Sequence, residues 1–239
     1  MHNVMTIARR ELRGYFDSPI AYIVIVTFLL VAGWMYFSAL FLMDRADMRA
    51  FFSPSPFSPS MLLVILAPAI TMRLIAEERK SGTIELLTTL PIRDIEVVLG
   101  KFAAALGLVC TALALTLVYA ISVALMGSLD WGPVVAGYVG TLLFSATLLG
   151  AGLWISAMTK NQIIAFIVGF IICAVLYFVY WLQFFMPQAL APLVEFISVS
   201  SHLDNLARGV IDSRDVIFYL TLTAGSLILA TRALSRQHA

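Results

Sequence analysis

Charge is scarce in this sequence. Of 239 residues, 12% are Asp, Glu, Lys or Arg, about half the roughly 25% of a soluble domain. Hydrophobic residues make up 61%, against about 45–50% in a soluble domain. A soluble globule of this length needs more polar side chains to cover its surface. A soluble enzyme and a disordered chain are therefore both excluded. The net charge is only +1, so no bulk positive field draws in nucleic acid, and no nucleic-acid partner is expected. An integral membrane protein remains.

Other absences narrow the function. The two cysteines, Cys110 and Cys173, sit in apolar runs and read as small buried hydrophobes. They form no zinc spacing and no disulfide framework. The stretches 19–42, 102–129, 131–158, 161–194 and 216–231 contain no Asp, Glu, His, Lys or Arg. Such groups at mid-membrane mark proton relays and ion sites, which counts against an ion-coupled carrier or channel. An intramembrane hydrolase is disfavoured too, because its nucleophile would lack a base. His2 and His238 lie near the ends of the chain. His202, near Asp204, reads as part of a solvated polar cluster rather than a metal or catalytic site. No catalytic, cofactor-binding or metal-binding residue is assigned. A phosphate-binding loop is also missing: Gly100-Lys101 runs into Phe102, and Ile95 stands where the loop needs glycine. If ATP and magnesium drive this protein, a separate subunit holds them.

Apolar runs are what the chain has in quantity. They fall at 19–42, 58–75, 95–127, 131–158, 162–186 and 215–233, each long enough to read as a membrane helix. The second contains Pro68 and should kink there. The third exceeds the need of a bilayer, with Asp94 as its expected N-cap. The charged residues 1–18, the length of the first run and the lack of a cleavage site argue against a signal peptide. Six spans put both termini on one side. With that side inside, eleven Arg and Lys fall on inner segments and four on outer ones. The bias predicts cytoplasmic termini.

Residues 3–17 alternate at helical spacing. Val4, Ile7, Ala8, Leu12, Tyr15 and Phe16 form one face and Arg9, Arg10 and Arg13 the other, the pattern of a helix lying in the membrane interface. The fourth span carries Gly137, Thr141 and Ser145 at four-residue steps. Small residues so spaced permit close helix packing, within the chain or against a second copy. The inner connection at 76–94 presents Ile84, Leu86, Leu87 and Leu90 as an apolar surface on a polar segment. Taken alone, this is either a docking face or a loop helix resting on lipid.

The run from Arg73 to Lys101, RLIAEERKSGTIELLTTLPIRDIEVVLGK, is similar to the coupling region of type 2 ABC exporter permeases. Its glutamate pair, basic pair, Gly-Thr, Glu-Leu-Leu, Pro and Gly-Lys follow that pattern throughout. The opening ARRELRGYFDSPIAYI resembles the family's interfacial helix and first span. The segment SHLDNLARGVIDSRDVIFY at 201–219 resembles the end of the gliding-motility-type branch. The resemblance implies one all-α transmembrane permease domain over 1–239. It has an interfacial helix at 3–17, six membrane helices, a cytoplasmic coupling helix at 77–90 between spans two and three, and a re-entrant outer segment at 187–214. Glu77, Glu78, Gly82, Thr83, Glu85, Leu86, Leu87 and Leu90 would then face the ATPase. His202, Asp204 and Arg208 would help close the outer gate, and Gly137, Thr141 and Ser145 would pack helices. The implied partners are an ABC ATPase pair, a second permease copy, an auxiliary membrane protein with a large periplasmic domain, and the lipid bilayer. The implied location is the bacterial cytoplasmic (inner) membrane. The implied function is ATP-driven export. The alternative is a scaffold that passes ATP-driven motion to a periplasmic partner and transports nothing.

Overall fold

The computed structural model describes residues 2–43, 47–82, 93–185 and 191–236. Every regular element among them is helical. The order is α1 (His2–Asp17), α2 (Pro19–Met43), α3 (Arg49–Phe52), α4 (Pro59–Thr71), α5 (Ala76–Ser81), α6 (Asp94–Leu115), α7 (Leu117–Met126), α8 (Trp131–Met158), α9 (Gln162–Phe178), α10 (Ala191–Ile197), α11 (Val199–Ala207) and α12 (Ser213–Ser235). A 3-10 turn, Val179–Phe184, extends α9. Among the described residues six helices, counting α4–α5 and α6–α7 as one each, are long and apolar enough to cross a membrane.

α8 is the centre of the bundle. Glycine along it lets neighbours approach to backbone distance. A Cβ on Gly137 would meet Phe52 Cδ2 at 2.2 Å, and one on Gly140 would meet Leu206 Cβ at 2.7 Å. Gly152 abuts Thr71, and Gly150 faces Ser226. Thus α3, α11, α4 and α12 all close onto α8. Without hydrophobic expulsion between helices in lipid, such contact surfaces are what hold a bundle together. The stripe of Gly137, Thr141 and Ser145 is buried within the chain, with Gly137 against Phe52. Outward-facing Leu30, Trp34, Leu125 and Ile163 are exposed on other helices.

Two spans break where their apolar runs are continuous. α4 runs through Pro68 and ends at Thr71, not at the proline. Thr71 turns its hydroxyl back to the Ala67 carbonyl at 2.9 Å, and Ser156 of α8 stitches the following turn. Ser156 Oγ accepts from the Ile75 and Ala76 amides at 3.3 and 3.2 Å and donates to the Met72 carbonyl at 3.3 Å. The third span breaks at Thr116. There the hydroxyl donates to the Leu113 carbonyl at 2.6 Å and meets the Tyr138 hydroxyl at 2.9 Å. A side chain that takes a helical carbonyl competes with the backbone and bends the helix. The start of that span also differs from expectation. Arg93, not Asp94, is the N-cap residue, and its amide donates to Glu96 Oε2 at 3.2 Å.

Contacts along α6 define two ends of the bundle. Ser235, in the last turn of α12, donates to Asp94 at 2.6 Å. Asn3 donates to Glu96 at 3.1 Å. Gly100 lies against Ile7 and Gly107 against Leu12. So α1 runs along the first turns of α6, and its apolar face is seated on that helix. The periodicity of 3–17 finds the apolar face, but cannot say whether lipid or a neighbouring helix covers it. This end, with α1, α5 and the close of α12, is the near end.

The far end gathers the 53–58 loop, the close of α9, α11 and the start of α12. Its knot is Tyr177. The phenol donates to the Ser55 carbonyl at 2.8 Å and lies 3.3 Å from the Ser58 and Ser60 hydroxyls. Ser200 donates to the Tyr177 carbonyl at 2.8 Å. Tyr177→Phe will remove one donor from the Ser55 carbonyl, which keeps the Ser58 hydroxyl at 2.8 Å and the Ser58 amide at 3.1 Å, a loss of about 1 kcal/mol. Thermal unfolding in detergent should fall by a few degrees. An unchanged midpoint would mean that the apolar ring alone secures this end.

Candidate functional site

At the near end an ion cluster is buried against the bundle. Lys101 sits in the third turn of α6 with its side chain 2% exposed. Its Nζ is 2.7 Å from Glu78 Oε1 of α5 and 3.1 Å from Glu11 Oε1 of α1. The two carboxylates are 17% and 20% exposed. One lysine therefore joins three elements: the N-terminal helix, the segment after span two, and span three. Burying an ammonium group is tolerable only when it is paired and hydrogen-bonded, and here two carboxylates do this.

The local sequence explains the meeting. Ile7, Glu11 and Tyr15 recur at four-residue steps, so Glu11 stands on the face of α1 that packs on α6. Tyr15 reaches the Ile70 carbonyl at 3.4 Å. Burial, reinforced by Glu11, pushes its phenol well above the ordinary tyrosine value, so it stays a neutral donor. Gly100 removes the side chain that would hold α1 away from Lys101. Arg10, Arg73 and Glu77 line a cavity of about 390 Å³ beside the cluster.

α5 ends at Gly82, whose φ of 73° is in the left-handed region that favours glycine. Of the expected coupling segment at 77–90, the structure describes residues 77–82. Glu77 to Ser81 continue span two after its turn, and Gly82 stops them. Glu77 is exposed, whereas Glu78 turns inward to Lys101. Thr83, Glu85, Leu86, Leu87 and Leu90 lie outside the described residues.

The model of the ABC-2 family transporter proteins matches residues 5–237 of this chain. The chain belongs to that family. No curated protein matches it. As an ABC-2 protein it is a membrane component of an ABC transporter, and membership implies a bilayer and a partner ABC ATPase. The near-end cluster lies at the edge of the 77–90 segment.

At the far end of the ABC-2 chain, the three candidate gate residues divide. Asp204 pairs with Arg208 one turn on and accepts from the Ser53 hydroxyl at 3.5 Å. His202 does not join them. It is buried, with Nδ1 2.6 Å from Asp215 Oδ1 and Nε2 3.1 Å from the Phe196 carbonyl oxygen. A solvated cluster around His202 and Asp204 is therefore replaced by two separate pairs. Sequence reasoning missed Glu11, Lys101 and Asp215 as partners. Each carried a signal: an acid or base at four-residue steps among residues of a buried face. For Asp215 the steps lead to Tyr219 and Thr223, both buried.

Proposed function

We propose that this chain is the permease subunit of an ATP-driven exporter in the bacterial cytoplasmic membrane, with both termini cytoplasmic. The Arg and Lys distribution supports that orientation. Two permease copies and two ATPases would form the transporter. In this reading an auxiliary membrane protein with a large periplasmic domain accompanies it, which the likeness at 201–219 to the gliding-motility-type branch supports.

The reading rests above all on the Lys101 cluster. A segment that docks on an ATPase can do mechanical work on the membrane only if it is attached firmly to the spans. Glu78, at the edge of that segment, is held by Lys101 in α6 and, through Lys101, by Glu11 in α1. α1 leads directly into span one across Ser18. Displacement of the 77–90 segment on ATP binding would thus move spans one, two and three together. In this reading, Leu86, Leu87 and Leu90 fill an apolar cleft of the ATPase, and Glu77 and Glu85 make polar contacts around it.

Leu87→Asp tests this reading. Burying a leucine contributes roughly 1.5–3 kcal/mol, and the aspartate would bury a charge as well. ATPase recovered with the purified permease should fall at least about tenfold, while membrane insertion remains normal. Equal recovery together with equal stimulation of ATP hydrolysis would refute docking through this segment.

A further inference from the structure

We propose that the cavity at the far end binds an amphiphilic primary ammonium compound, with Asp215 as the anchoring carboxylate. The cavity, of about 650 Å³, opens between α10–α11 and the first turns of α12. Pro192, Phe196, Ile217 and Phe218 give it apolar walls. Glu195, Asp212 and Asp215 bring three carboxylates to it, against the single guanidinium of Arg214.

Asp215 is the decisive residue. It lines the cavity, yet it is only 3% exposed. Oδ1 is taken by His202 Nδ1 at 2.6 Å, and the His202 ring is fixed by the Phe196 carbonyl and by stacking on Phe218 at 4.0 Å. Oδ2 is buried with no hydrogen-bond partner among the described residues. A buried carboxylate oxygen without a donor is strongly unfavourable, so Asp215, at the cavity wall, lacks a donor that a ligand entering the cavity can bring. Among the described residues no three His, Cys, Asp or Glu side chains group to hold a metal ion, so a coordinated cation is not the missing partner. A donor that carries N–H groups and positive charge fits the acidic lining. An apolar body attached to it fits the walls. Two sources supply that chemistry: a membrane lipid with an ethanolamine headgroup, or a free alkylamine.

Native mass spectrometry of the full chain in detergent tests the site. Phosphatidylethanolamine and phosphatidylcholine with matched acyl chains are titrated separately. Hexylamine and hexyltrimethylammonium are added as soluble probes. The quaternary members of each pair keep the charge and lose every N–H. The expected result is retention of the primary ammonium member over its quaternary partner, reduced at least about tenfold in Asp215→Asn, the loss expected for a charge-assisted hydrogen bond. Preference for phosphatidylethanolamine assigns a lipid. Selective hexylamine binding without a lipid preference assigns a soluble amine. Should Asp215→Asn fail to fold, Asp212→Asn with Glu195→Gln decides instead, since asparagine keeps the α12 cap; retention should then fall several-fold. No discrimination between primary and quaternary probes, or discrimination undiminished in the variants, overturns the proposal.

Discussion

Lys101→Met will be among the most damaging single substitutions in this protein. It removes the one cation that Glu11 and Glu78 share within the described residues and leaves two carboxylates facing each other at a buried site. Breaking a buried pair in this way is destabilising by about 3–5 kcal/mol. The carboxylates keep 20% and 17% of their surface, which moves the expectation to the lower end, about 3 kcal/mol. For a chain of this size that is roughly a 6–12 °C fall in the unfolding midpoint. Lys101→Met combined with Glu11→Gln and Glu78→Gln should recover most of the loss, because the two carboxylates then no longer repel each other. Circular dichroism melts of the detergent-solubilised single and triple variants are sufficient to check this. A single variant as stable as the wild type would mean that water reaches the carboxylates and that the cluster does not bind the three elements together.

The spans were legible because their composition admits little else. Apolar runs at 19–42 and 131–158 correspond to α2 and α8 within a residue. The breaks were not legible. α4 runs on through Pro68 to Thr71, and the turn at 72–75 depends on Ser156, more than eighty residues away. Thr116 looks like any threonine in an apolar run until Tyr138 is brought beside it. The cluster was half legible. The Gly-Lys at 100–101 and the glutamate pair at 77–78 stood out as a motif, but motif reading aimed both glutamates outward. Only the folded contacts show that Glu78 looks inward to Lys101, and that Glu11, ninety residues before that lysine, holds it too. His202 shows the same limit, since nearness in sequence pointed to Asp204 and packing selects Asp215.

Gly137→Leu should disrupt the bundle, and Thr141→Val, one turn further along the same helix, should not. At Gly137 the neighbouring Phe52 ring occupies the space where even a Cβ would go. Phe52 is itself fully buried and packed edge-on to Phe51 and Tyr138, so it cannot swing aside. A leucine must push α3 off α8. Overpacking of a filled core is destabilising by about 1–3 kcal/mol, and more where backbone has to move. The damage should concentrate at the far end, where α3 also meets α11. Thr141 is equally buried, but its hydroxyl has no hydrogen-bond partner among the described residues. Exchanging that hydroxyl for a methyl removes an unsatisfied polar group at nearly constant volume, so stability should hold or rise slightly. Size-exclusion chromatography and thermal melts of the two variants separate packing from polarity. If Gly137→Leu stays as stable as Thr141→Val, Phe52 can leave its seat, and α3 is not clamped to α8.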